Sequence, residues 1–188
     1  MTNDELIQFI ELCYDVSVDI LLKEGEHMPL FILPSKSGVF IVHPDFRDDA
    51  GKESATKELP VIASIIEAQA IIMVSETWIV VSEDNNLNNV QPRDHPDRVD
   101  SLFVHGELPT GEHYVKACEL VKEQGVLKSV KPLDLASGAS SGRFTDMFNM
   151  DVRARSDSEK EELIHHLRNT YEAKHFGAFY TKHGVTLH

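Results

Sequence analysis

One tripeptide occurs twice in the chain, as His43-Pro44-Asp45 and His95-Pro96-Asp97. Proline restrains the backbone while an imidazole and a carboxylate stand two residues apart, so each copy can address one cation or one proton-transfer site. The same three residues also make an ordinary turn, with proline fixing the bend and aspartate closing a local hydrogen bond. Glu76 is the second candidate. It lies in the most apolar stretch of the chain, 70–81, on the same face as Val74 and Trp78 if that stretch is a strand. A carboxylate there must be paired, protonated or liganded. Arg93, Arg98 or a histidine would serve as partner, making Glu76 either a metal ligand or general base, or half of an ion pair pinning the following loop. Arg93-Asp94-His95-Pro96-Asp97-Arg98 alternates charge, a pattern that pairs with itself or offers two guanidiniums to an anion.

Two different proteins can be assembled from these residues. In one, Glu76, Trp78, Arg93, His95 and Arg98 form a packed binding group with no bound cofactor. In the other, His43, Asp45, His95 and Asp97 hold a divalent metal ion, and Glu76, His95 and Asp97 supply acid–base chemistry for a metal-assisted hydrolase. The second requires both His-Pro-Asp segments to converge at one end of a sheet. Standard signatures do not help it: HExxH, GxSxG and GxGxxG are missing, and Gly51-Lys52-Glu53-Ser54 lacks the upstream glycine and the following Ser or Thr of a phosphate loop. Cys13 and Cys118 are far apart without CxxC or Cys/His spacing, so neither a disulfide framework nor a zinc ribbon is indicated and a reducing compartment fits. Cys13 falls on an apolar helical stripe and reads as core. His105 and His113 bracket a turn and can meet across a hairpin, although surface positions are the ordinary outcome for such histidines.

The elements that must position these groups follow from periodicity. Leu6, Phe9, Ile10, Cys13, Val16, Ile20 and Leu21 predict an amphipathic helix over 4–24, capped by Asn3 or Asp4 and closed by Gly25. Residues 30–33 and 39–42 read as an antiparallel strand pair around a Pro34–Gly38 loop. A polar stretch over 45–53 then leads into a second helix reaching about Gln69, with Pro60 near its first turn. The Ile- and Val-rich segment 70–81 predicts a central strand covered on both faces. Strands are expected at 101–108, 113–121 and 126–135, the second of them with a helical alternative. A capping box at Ser156 and Glu159 opens a C-terminal helix to Gly184 with Leu163, Ile164, Leu167, Tyr171, His175 and Phe179 as its stripe. The whole chain, 1–188, reads as a single α+β domain, its mostly antiparallel sheet packed by N-terminal, middle and C-terminal helices, with flexible segments near 82–100 and 136–146. This order of elements looks like the profilin-like or roadblock-like arrangement, an analogy that carries no function.

Val74-Ser75-Glu76-Thr77-Trp78, followed by His95-Pro96-Asp97-Arg98 and the strand from Ser101, resembles an uncharacterised family of small bacterial and phage proteins with a Ser-Glu-x-Trp strand and a His-Pro-x-Arg loop. The resemblance spans roughly residues 60 to 108. It implies a recurring fold and no activity, and it groups Glu76, Trp78, His95 and Arg98.

Charge then selects among functions. With 18 basic against 31 acidic residues the chain carries −13, which argues against a nucleic-acid footprint. Ten histidines would bring that to −3 on full protonation, mostly around pH ~6.5. The acidic start Met1–Glu5 is unlike a secretory signal, and no apolar run reaches the ~18 residues of a membrane span, so a cytoplasmic protein off the membrane is expected. The leading expectation is a binding or regulatory domain that takes a protein partner or its own copy. The metal-dependent hydrolase is the competing one, and an acidic inhibitor mimicking nucleic acid the third.

Overall fold

The computed structural model describes residues 1–36, 38–44, 46–80, 92–135 and 147–149, together with 158 and 162. Helix α1 spans Asn3–Glu24. Its N-cap is Thr2, one residue ahead of the Asn3 or Asp4 expected, because Thr2 and Glu5 close a capping box. Gly25 ends the helix at φ 85°, a left-handed position that glycine occupies without a Cβ penalty. Strands β1 (Leu30–Ser35) and β2 (Gly38–Val42) form the expected hairpin.

Helix α2, Asp49–Ile65, starts earlier than its apolar stripe suggests. Asp48 caps it by accepting the Gly51 N–H, so Pro60 falls in the helix interior and not near its first turn. The first turns carry few apolar residues to signal them. Strands β3 (Ile71–Ile79), β4 (Val99–Glu107), β5 (His113–Glu123) and β6 (Val126–Leu133) complete the fold as an antiparallel meander. The helical alternative for β5 is thereby overturned, since its register against β4 is continuous from Ser101↔Glu119 to Glu107↔His113. Gln124 at φ 51° and Gly125 at φ 80° make the two-residue turn between β5 and β6, where two successive positive φ values match the twist of the flanking strands.

The six strands lie in the order β2-β1-β3-β4-β5-β6, so the protein is α+β with an open antiparallel sheet. Side chains alternate between its faces. Ile72, Val74, Leu102, Val104, Cys118 and Leu120 meet Leu6, Ile10, Cys13, Tyr14 and Leu21 of α1. On the opposite face Phe31, Leu33, Phe40, Val42 and Ile71 meet Ala55, Leu59, Ile62 and Ala63 of α2, joined by Met147. Ile71 and Ile72, neighbours in sequence, are both buried because β3 is covered on both sides. Of the expected C-terminal helix only Ser158 and Glu162 are described, both helical, and the segments 81–91 and 136–146 lie outside the described residues, whereas 92–100, also expected to be flexible, holds a 3₁₀ turn at Pro92–Asp94 and the start of β4.

Two close approaches position the candidate site. Gly106 on β4 faces α1, where a Cβ would stand 2.5 Å from Ile10 Cδ1 and 3.0 Å from Leu6 Cδ1. Glycine is what lets the helix settle onto the sheet there. Lys116 and Tyr114 of β5 reach up to Glu11 of α1, and the Lys116 ammonium also lies 4.7 Å from the Tyr14 ring. The helix is thus fixed against β4 and β5, and its C-terminal end leads into the loop that meets Glu76.

Candidate functional site

Glu76 stands where β3 outruns α1. Its Oε1 accepts the backbone N–H of His27 at 2.6 Å, which ties the loop after α1 to the sheet. The carboxylate is half-buried, as an acid with a specific partner allows. A histidine partner was among the expected ones, but the contact uses the main chain of His27 and not its ring. The ring itself is buried at 6% exposure, and its Nδ1 has no hydrogen-bond partner among the described residues. Burial lowers the His27 pKa from its usual 6.5; the Met28 backbone and the Glu76 charge oppose that shift, and His43 adds to it.

Trp78 follows two residues later on the same face and is 47% exposed. Arg98, arriving at the start of β4, holds its guanidinium carbon 5.7 Å from the centre of the Trp78 ring, a cation–π pair worth roughly 0.5–1 kcal/mol at an exposed site. Register explains the meeting: Trp78 lies opposite Asp100, so the residues just before β4 return beside the indole. Met28, on the loop held by Glu76, is 68% exposed. Glu76, Trp78 and Arg98 are therefore brought to one end of β3 and β4. Pro92–Asp94 packs against β3 at this end as well.

His95 turns on itself. Its Nδ1 accepts the Asp97 N–H at 3.2 Å, and the Asp97 carboxylate lies 3.9 Å away on the exposed side. The His95-Pro96-Asp97 segment is thus the turn that its composition also allowed. His43 lies near His27, while Asp45 and the Arg93 side chain lie outside the described residues. Among the described residues no three His, Cys, Asp or Glu side chains gather at a spacing that could hold a metal ion. The metal set and the acid–base set built on His43, Asp45, Glu76, His95 and Asp97 gain no geometric support from the described part.

Both cysteines are core residues, and burial raises each thiol, that of Cys13 to about 11, so neither is poised as a nucleophile. His105 and His113 do meet, with ring centres 6.0 Å apart. His105 is nevertheless buried and stacked beside Phe103, against the expectation of a surface residue.

Sequence reasoning passed over Glu107. It is 3% exposed at the end of β4 and accepts the N–H groups of Met147 and Phe148, seating the 3₁₀ turn Met147–Asn149 against the α2 face of the sheet. The alternation Phe103, His105, Glu107 was the available signal: a carboxylate closing a buried row. No helix is long and apolar enough to cross a membrane among the described residues. Comparison of the chain with protein-family models, with curated proteins and with solved structures finds no match.

Proposed function

We propose that the protein is a non-catalytic binding module that takes a protein partner at the Trp78–Arg98 end of its sheet. The exposed indole carrying a guanidinium on its face is the observation that supports this reading. Tryptophan and arginine dominate interface hot spots, because a large ring buries much area with few rotamers to freeze and a planar guanidinium stacks on rings and donates from a rigid fork. Exposed Met28 widens the apolar part of the surface, and a thioether adapts to differently shaped partners. Glu76 takes a positioning part: by holding the His27 backbone it fixes the loop that presents Met28. His95 and Arg93, from the same segment as Arg98, belong to the proposed rim.

Bacteria or phage are the setting that the Ser-Glu-x-Trp and His-Pro-x-Arg resemblance implies, a cytoplasmic location is the one that the two cysteines without a pairing motif and the acidic start suggest, and the C-terminal helix with its profilin-like or roadblock-like element order belongs to the same reading. Trp78 is the chain's one tryptophan, so intrinsic emission reports on this surface alone. The test is affinity capture with the full chain, its Trp78→Ala form and its Arg98→Ala form. A protein retained by the wild type and lost by both variants, which also shifts Trp78 emission to the blue on titration, is expected. A solitary monomer by native mass measurement, with nothing retained that shifts the emission, would overturn the reading.

A further inference from the structure

Five residues, 25–29, join the end of α1 to the start of β1. Leu30 pairs with Val74, so the loop ahead of it runs alongside the part of β3 that carries Glu76 and Trp78. Its hold on the rest of the protein is concentrated in one residue. Gly25, Glu26 and Met28 are exposed and Pro29 is half-buried, whereas the His27 side chain is buried. His27 also makes the loop's hydrogen bond to the sheet, its main-chain N–H donating to Glu76 Oε1.

That anchor is titratable. The ring is 6% exposed with no partner for Nδ1 among the described residues, a setting that accepts a neutral imidazole and penalises a charged one. Two titratable groups face it among the described residues, Glu76 on β3 and His43 just after β2. The carboxylate attracts an imidazolium, and the second imidazole opposes it. Burial outweighs both and keeps the ring's pKa below its usual 6.5 while the loop is seated. Once the loop is free the ring stands in water and titrates at its ordinary value of about 6.5. The free loop therefore binds the proton more tightly than the seated one, and acid shifts the balance toward the free form.

We propose that His27 is an acid-operated latch, whose protonation frees residues 25–29 from β3 and withdraws Met28 from the Trp78 end of the sheet. What the latch regulates rests on the partner surface proposed above; the latch itself does not. Above the transition Met28 adds its thioether to the surface around Trp78, and below it Trp78 and Arg98 stand without that contribution.

The test is an NMR titration of the full chain from about pH 7.5 to about 5, the range in which imidazole changes charge. It follows the His27 ring, the Met28 methyl group and the heteronuclear NOEs of the 26–28 amides, which report motion on the ps–ns scale. All three are expected to change together with one midpoint below 6.5, the NOEs falling toward those of a mobile chain. His27→Phe, which fills the same space with a ring that cannot charge, should abolish the Met28 and NOE changes. His43→Gln should keep them, because His43 only modulates the site of protonation. An imidazolium that forms while the NOEs stay high and Met28 does not move would overturn the proposal, since Glu76 then holds the charged ring in place. A ring still neutral at the acid end would also overturn it, as would changes that survive in His27→Phe or vanish in His43→Gln. None of these readouts needs a partner. A missing transition with a protein still captured through Trp78 and Arg98 removes the latch and leaves that surface standing; a transition with nothing captured does the reverse.

Discussion

Glu107 and Glu76 do the same work with different visibility: each carboxylate accepts main-chain N–H groups from a distant segment and joins it to the sheet. Removing the first leaves one buried and one part-buried donor unmet, so Glu107→Ala should cost about 2–4 kcal/mol, read from urea unfolding, with Glu107→Gln recovering part of it through its remaining acceptor. A loss below about 0.5 kcal/mol, the scale of an ordinary surface substitution, would contradict this account. Glu76 could be singled out in the sequence because a lone acid among Ile and Val breaks a pattern. Its partner could not, since a backbone donor leaves no mark on residue identity. Glu107 escaped for the same reason, its donors lying 40 and 41 residues on. His27 adds a pH signature. Its folded pKa is lowered, so the unfolded chain binds the proton first, and stability falls as pH drops from about 6.5 toward the folded value. Replacing it with Phe, which keeps a ring and cannot titrate, should flatten that slope between pH 7 and 5 in chemical unfolding. An unchanged slope would show that other histidines set it.

At the scale of elements, the contact of α1 with β4 is governed by one missing methyl group. Gly106→Ala drives a Cβ into Ile10 Cδ1, and overpacking of this kind costs about 1–3 kcal/mol. Ile10→Val removes that Cδ1 atom. The double variant should therefore be more stable than the sum of the two single losses predicts, a non-additivity measurable in one unfolding cycle. Simple additivity would mean the sheet moves instead of the helix. Here the periodic signals served well: α1, the β1–β2 hairpin and β3 all follow from alternation and helical spacing. The start of α2 did not, because Ala50, Gly51, Lys52, Glu53 and Ser54 face mostly solvent and only the Asp48 cap marks the beginning. Pro34 illustrates what sequence alone leaves undecided. A proline argues against an interior strand, yet β1 lies between β2 and β3. It is tolerated because the β1–β3 ladder covers only Leu30–Ile32, and Pro34 instead offers its carbonyl to the Gln69 N–H.

Over the whole molecule, an open six-stranded sheet poses the problem of its two edges. An unpaired ladder can recruit another chain, and proteins blunt such edges with short strands, lysine and proline. β2 is short at five residues, whereas β6 has eight and relies on side chains: Lys128, Lys131 and Pro132 are all exposed on it. Two effects oppose association here, and they differ in range. The net charge of −13 repels over a Debye length, about 8 Å at physiological salt, while the edge devices act at hydrogen-bonding distance. Lys128→Thr/Lys131→Thr/Pro132→Val makes the net charge −15, from −13 − 2, yet restores a continuous β-forming edge with the missing N–H. If the local devices dominate, this variant should show a mass that climbs with concentration in sedimentation velocity at about 0.15 M salt, more steeply than the wild type, despite its added repulsion. Pro132→Val alone, with charge unchanged, should show a smaller rise. If the triple variant instead stays at the wild-type mass and associates only at high salt, then repulsion by the acidic surface is what protects the sheet, and the lysines on β6 serve solubility without guarding its edge.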